Sequence, residues 1–145
     1  MKKAFLLAAL IVVASACYRT EKNTINVVPY PNKVEIAKGS FNAAGAGFSI
    51  SDDIDAASRN VIMNFAERLS AATGKTSTIE VNSLDKGFTF TLDSHIPAEA
   101  YRLAVDRNAV NVTASGLNGF NYAIQTLKQM LPAEIFGSTA APYAD

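Results

Sequence analysis

The sequence predicts an α+β fold in which an antiparallel β-sheet carries two α-helices packed on one face. Apolar residues recur with helical spacing from about Ile54 to Ala72 and again from Leu117 to Met130, as they do on helices with one buried stripe. Several short runs alternate apolar and polar residues instead, the period of half-buried strands. The late runs are joined by connections short enough for hairpins, which makes antiparallel pairing the expectation.

Val27-Val28-Pro29-Tyr30-Pro31 opens the ordered region in an extended conformation, because each proline fixes its own φ and pushes the residue before it out of the helical region. Lys33 to Lys38 alternates, with Val34 and Ile36 on one side, and is expected to be a strand ended by Gly39. Phe48-Ser49-Ile50 is a second short strand. In the helix that follows, Val61, Phe65 and Leu69, with Ile62 and Ala66 beside them, form the buried stripe. Arg59, Asn60, Asn64, Glu67 and Arg68 occupy the other side. Asp52 or Asp53 is the expected N-terminal cap, and Gly74 the stop.

Thr76 to Val81 and the alternating Phe88, Phe90 and Leu92 read as a hairpin with Asp85-Lys86-Gly87 at its turn. Tyr101, Leu103 and Val105 alternate with Arg102, Ala104 and Asp106, and Val110, Val112 and Ala114 alternate with Asn111, Thr113 and Ser115. Arg107-Asn108 makes the turn of this second hairpin. In the last helix Phe120, Ile124, Leu127 and Leu131 face the sheet, and Pro132 stops it. The expected order is β-β-α-β-β-β-β-α.

The first seventeen residues read as an address. Met1, Lys2 and Lys3 give a positive start, Ala4 to Val13 is an unbroken apolar run, and Ala14, Ser15 and Ala16 are small, the layout of a secretory signal. Ten residues rise only about 15 Å as a helix, roughly half a bilayer core. Cys17, directly after the small residues, resembles the cysteine of a bacterial lipoprotein signal, lipid-modified after cleavage, although Ala14 stands where such signals usually carry a larger aliphatic residue. The alternative is a simple secretory signal cut at Ala16. These readings divide the chain into a signal peptide over 1–16, a tether over 17–26, one domain over 27–132 and a linker over 133–145. They place the protein outside the cytoplasm, as a periplasmic or cell-surface lipoprotein held to the membrane by the lipid on Cys17.

Composition excludes several functions. The 145 residues suit one domain. Charges balance at 13 basic and 13 acidic, with no Lys/Arg cluster for nucleic acid. One cysteine and one histidine give neither an internal disulfide nor a cysteine-built zinc site. No cofactor motif is present.

Glu99-Ala100-Tyr101-Arg102-Leu103, Val110-Asn111-Val112-Thr113-Ala114 and the run from Gly119-Phe120-Asn121-Tyr122-Ala123 through Gln125-Thr126-Leu127 to Leu131-Pro132 resemble the non-catalytic domain that precedes the barrel in glycoside hydrolase family 20. Val28-Pro29-Tyr30-Pro31-Asn32-Lys33-Val34 looks like that domain's opening. The resemblance covers about residues 26 to 132. It implies the N-terminal part of a β-N-acetylhexosaminidase, whose downstream catalytic barrel is the domain's partner and binds N-acetylhexosamine glycans. In such enzymes the substrate's acetamido oxygen is the nucleophile, an adjacent Asp-Glu pair orients it and handles the proton, and tryptophans wall the sugar pocket. This sequence has no adjacent Asp-Glu pair and no tryptophan, so no catalytic, cofactor or metal residue is assigned to it. Two alternatives stay open, an exported glycan- or protein-binding lipoprotein module and the N-terminal module of another glycosidase family.

Single residues weigh toward structure. His95 reads as a loop histidine, Asp52 and Asp53 as caps rather than paired carboxylates, and Tyr101 as core beside an exposed Arg102. Gln125 and Gln129 face solvent or a following domain. Asn111-Val112-Thr113 fits a glycosylation pattern that a bacterial leader makes moot, and Ser94 and Ser115 lack a base.

Overall fold

The computed structural model of the chain describes residues 25–83 and 86–136. The expected signal peptide, Cys17, the tether as far as residue 24, Asp85 and the tail from residue 137 lie outside the described residues. Within them run β1 (Phe48–Ile50), α1 (Ala56–Thr73), β2 (Ile79–Val81), β3 (Gly87–Leu92), β4 (Tyr101–Val105), β5 (Ala109–Ala114), α2 (Leu117–Met130) and a 3-10 turn at Ala133–Phe136. The strands make one sheet in the order β2-β1-β3-β5-β4.

The α+β class holds, and both helices cover the same face. Register puts Phe48 beside Phe88, Phe88 beside Val110 and Phe90 beside Val112, so these side chains share one side of the pleat. Phe65 of α1 meets Phe48 and Phe88 edge-on, at 5.8 Å and 5.7 Å between ring centroids. Phe120 of α2 tilts against Phe90 at 6.2 Å. All of these rings belong to one continuous core with Ile50, Ile62, Leu69, Val110, Val112 and Ile124.

The expected antiparallel sheet is corrected in its pairing. Only β4 and β5 are antiparallel, through the tight turn at Arg107-Asn108. β1 pairs in parallel with β2 on one side and β3 on the other, and β3 pairs in parallel with β5. The expected hairpin of Thr76–Val81 with Phe88–Leu92 therefore does not form. The physical reason lies in β1, whose three residues are all buried. A strand buried on both faces is satisfied as an interior strand, with a ladder on each edge. β1, α1 and β2 make a β-α-β crossover, and the chain leaving β2 turns back across the helix-free face of β1. There the Asn82 N–H donates to the Ile50 carbonyl at 3.3 Å and the Ser83 N–H to Ser49 Oγ at 3.2 Å, which covers Ser49 although it points away from the helices.

Gly87 starts β3 at φ 96° with its backbone against Gly47. A Cβ there would collide with the Gly47 carbonyl oxygen, so only glycine lets β3 begin so close to the residues before β1.

Three further expectations shift. Lys33–Lys38 has no regular secondary structure and joins no ladder among the described residues; its alternation found no partner edge, and Ile36 stays exposed. Asp55, not Asp52 or Asp53, caps α1. Its Oδ1 accepts the Ser58 N–H at 2.9 Å and its Oδ2 accepts the Ser58 hydroxyl at 2.6 Å, because the helix starts two residues later than the pattern implied. The expected linker begins later than residue 133, since the 3-10 turn carries Ile135 into the core. Gly74 ends α1 in the left-handed conformation, as expected.

Candidate functional site

The helix-free face of the sheet is built from the residues that alternate with the core set. Register aligns Glu80, Ser49, Thr89, Asn111 and Ala104 in one row across all five strands, and Thr91, Thr113 and Arg102 in a second. Apart from Ala104 every one is polar, which is the chemistry of a surface that meets water or a hydrophilic ligand. At one end of this face the strap 37–39 lies opposite the β4–β5 turn, enclosing a cleft of about 620 Å³. Thr89 and Asn111 are among its lining residues, as are Lys38, Asp106 and Arg107. Asp106 is committed to the turn. Its Oδ1 accepts the N–H groups of Asn108 at 2.7 Å and Ala109 at 2.9 Å, and these two bonds hold its carboxyl below the usual carboxylate range.

A second polar cluster follows β3. Asp93 Oδ1 accepts the His95 N–H at 2.9 Å and lies 3.1 Å from His95 Nδ1, while its Oδ2 is 3.6 Å from the Arg102 guanidinium. The backbone and ring of His95 hold the Asp93 carboxyl down, with Arg102 adding a smaller pull. His95 is almost fully exposed, and Ser94 stands in the same loop. Ser115 donates its hydroxyl to the Pro97 carbonyl at 3.2 Å rather than to a base. The cluster is an Asx turn tied to β4, with no nucleophile aligned for it to activate.

Of the remaining predicted residues, Tyr101 and Arg102 fall where strand alternation placed them. Tyr101 is half-buried with its hydroxyl 2.6 Å from Thr126 Oγ1, and Arg102 is exposed. Asp52 and Asp53 sit exposed in the turn before α1, and Asn111 is exposed on β5. Gln125 is exposed, whereas Gln129 reaches back to the backbone of Val28, a contact its spacing did not signal. Cys17 lies outside the described residues. Among the described residues no group of three or more His, Cys, Asp or Glu side chains is arranged to hold a metal ion.

The family model for glycosyl hydrolase family 20, domain 2, matches residues 24–142. The chain belongs to glycosyl hydrolase family 20. Its fold is similar to the family 20 β-N-acetylhexosaminidase of Streptomyces coelicolor A3(2), with 28% identity and a TM-score of 0.69 over 78% of this chain and 23% of that one. The N-acetyl-β-hexosaminidase of Streptomyces plicatus aligns at 27% identity and a TM-score of 0.57, over 68% of this chain and 19% of that one. The exo β-N-acetylglucosaminidase of Vibrio harveyi aligns at 25% identity and 0.59, over 73% and 16%. The family 20 chain described here thus spans less than a quarter of the length of these relatives.

Proposed function

We propose that this family 20 chain is the N-terminal, non-catalytic domain of an exported β-N-acetylhexosaminidase, anchored to a bacterial membrane by a lipid on Cys17. The family 20 match over residues 24–142 carries the reading. In this reading a downstream barrel supplies the adjacent Asp-Glu pair and removes terminal β-linked N-acetylhexosamine by substrate-assisted, retaining hydrolysis. The domain itself does no chemistry: its two polar clusters are turns, and the sequence holds neither the Asp-Glu pair nor a tryptophan.

The helix layer supplies a surface for the barrel. Val28 is 81% exposed and bound to Gln129 on α2, and Tyr122, half-exposed, lies two helical turns earlier on the same side of α2. These two exposed apolar groups suit burial against a second domain. The polar opposite face of the sheet suits solvent.

Reading the gene past Asp145 tests the assignment, and a (β/α)8 barrel with an Asp-Glu pair should follow. An in-frame stop with no barrel downstream would refute it. The 145-residue chain alone should not hydrolyse a nitrophenyl N-acetylglucosaminide, whereas the protein that includes the barrel should. For the anchor, Cys17→Ala should move the protein from the membrane fraction to the soluble one and abolish incorporation of labelled fatty acid. A wild-type protein that takes up no fatty acid would rule the lipid out.

A further inference from the structure

The cleft on the helix-free face is rich in hydrogen-bond donors that the fold leaves unused. Lys38 and Arg107 line it with positive charge, and Thr89 and Asn111 add a hydroxyl and an amide from adjacent strands. None of these four side chains has a hydrogen-bond or ion-pair partner among the described residues. The carboxylate in the lining, Asp106, is held ionised by two backbone N–H groups and offsets one of the two cations, so the lining keeps a single excess positive charge. Among the described residues no aromatic ring lines the cleft, and recognition there must work through charge and hydrogen bonds rather than stacking on an apolar ring face.

The strap is shaped to hold one of these cations in place. Gly39 has φ 132°, and a Cβ on it would come within 3.0 Å of Arg107 Cγ and 3.1 Å of Arg107 Nε. The Arg107 stem therefore lies against bare backbone, which only glycine offers at that φ. The cleft has a volume of about 620 Å³ and is about half open to solvent.

We propose that this cleft binds an acidic saccharide, a sugar ring bearing a carboxylate or a sulfate, with Lys38 and Arg107 on the anionic group and Thr89 and Asn111 on ring hydroxyls. The sugar half of the claim rests on the reading that the parent enzyme acts on glycans. The anionic half rests on the two unpaired cations. A site of this kind lies on the face away from the helix layer, and it would hold charged glycan while a separate domain does the cleavage.

Calorimetric titration of the 145-residue chain at low ionic strength, with glucuronate, glucose 6-sulfate, glucose, N-acetylglucosamine and inorganic sulfate as probes, tests it. The two acidic sugars should bind saturably, with the neutral sugars at least about tenfold weaker, and added salt should weaken the acidic ones. R107Q and K38Q should each weaken acidic-sugar binding about tenfold, the usual cost of a lost charged hydrogen bond. Gly39→Ala should weaken it by displacing Arg107. Equal binding of neutral and acidic sugars, or unchanged affinity in R107Q and K38Q, would overturn the proposal. Inorganic sulfate binding as tightly as glucose 6-sulfate would overturn the saccharide half. Amide shift mapping on the wild-type chain guards against misfolded variants, since shifts away from Gly39, Arg107 and Asn111 would equally refute the site. These readouts involve no turnover, so their failure is distinct from an inactive or absent barrel.

Discussion

Gln129 closes both backbone groups of Val28, accepting its N–H at 2.8 Å and donating to its carbonyl at 3.0 Å. The two residues are 101 positions apart, so one amide side chain at the end of α2 imitates a strand partner and ties down the segment around Val28. Gln129→Ala should speed amide hydrogen exchange at Val28 and its neighbours while costing about 1 kcal/mol or less globally, since both bonds are exposed. Gln129→Glu should lose more, because a carboxylate accepts the N–H but sets its charge against the carbonyl. Unchanged exchange in both variants would show that Gln129 does not hold the Val28 segment.

Phe90 is fully buried, stacked beside Phe48 and tilted against Phe120. It joins the sheet to α2, and little around it can collapse into its space. Phe90→Ala should cost about 3–5 kcal/mol, read as a lower midpoint in urea with an unchanged slope. Tyr30→Ala, at an exposed position, should stay within about 0.5 kcal/mol.

The Asp55 cap makes a prediction in acid. Hydrogen bonds from Ser58, its hydroxyl first and its N–H second, hold the Asp55 carboxyl below its ordinary value of 3.8. A lowered folded pKa means that the contribution is complete above the unfolded value and is lost as pH falls through the folded one. Asp93 and Asp106 act with the same sign. Asp55→Asn, which still caps, should flatten the acid limb of the stability curve below about pH 4. Asp55→Ala should lower the melting temperature at neutral pH by a few degrees, whereas Asp52→Ala and Asp53→Ala should leave it unchanged.

Gly119 sits where α2 packs closely against Ala100 and Ala114 of the sheet layer. A Cβ there would meet the Ala100 carbonyl oxygen at 2.5 Å and the Ala114 Cβ at 2.9 Å. Gly119→Ala should destabilise by about 1–3 kcal/mol through overpacking, against the stabilisation alanine gives in an open helix. Gly116→Ala, where a Cβ meets nothing within 4 Å, should be near neutral. Thermal melts of the two variants side by side separate packing from helix propensity.

Local patterns in the sequence carried the helices and the second hairpin, because there the partners are neighbours in the chain. The spacing of Phe120, Ile124 and Leu127 gives α2 its bounds, and the alternation of Tyr101 to Ala114 gives β4 and β5 their register. Pairing between distant strands left no such local mark. The signal that was available is the long helix set between Phe48–Ile50 and Ile79–Val81, which is the pattern of a parallel crossover. Alternation misled at Lys33–Lys38 because it reports which side chains agree and says nothing of whether an edge is free to receive them. The cleft was equally hidden: Lys38, Thr89, Arg107 and Asn111 come from three separated stretches, and only the register of β3 on β5 and the path of the strap unite them.

The position of β1 has a consequence for how the domain is made. Its two ladder partners, β2 and β3, are synthesised some thirty to forty residues after it, and β3 in turn needs β5. A chain emerging from the ribosome can fold α1 early, but Phe48 and Ile50 stay uncovered until nearly the whole domain is out. Distant pairing of this kind slows folding, and the newborn segment holding β1 is the stretch for which chaperones would have the longest opportunity.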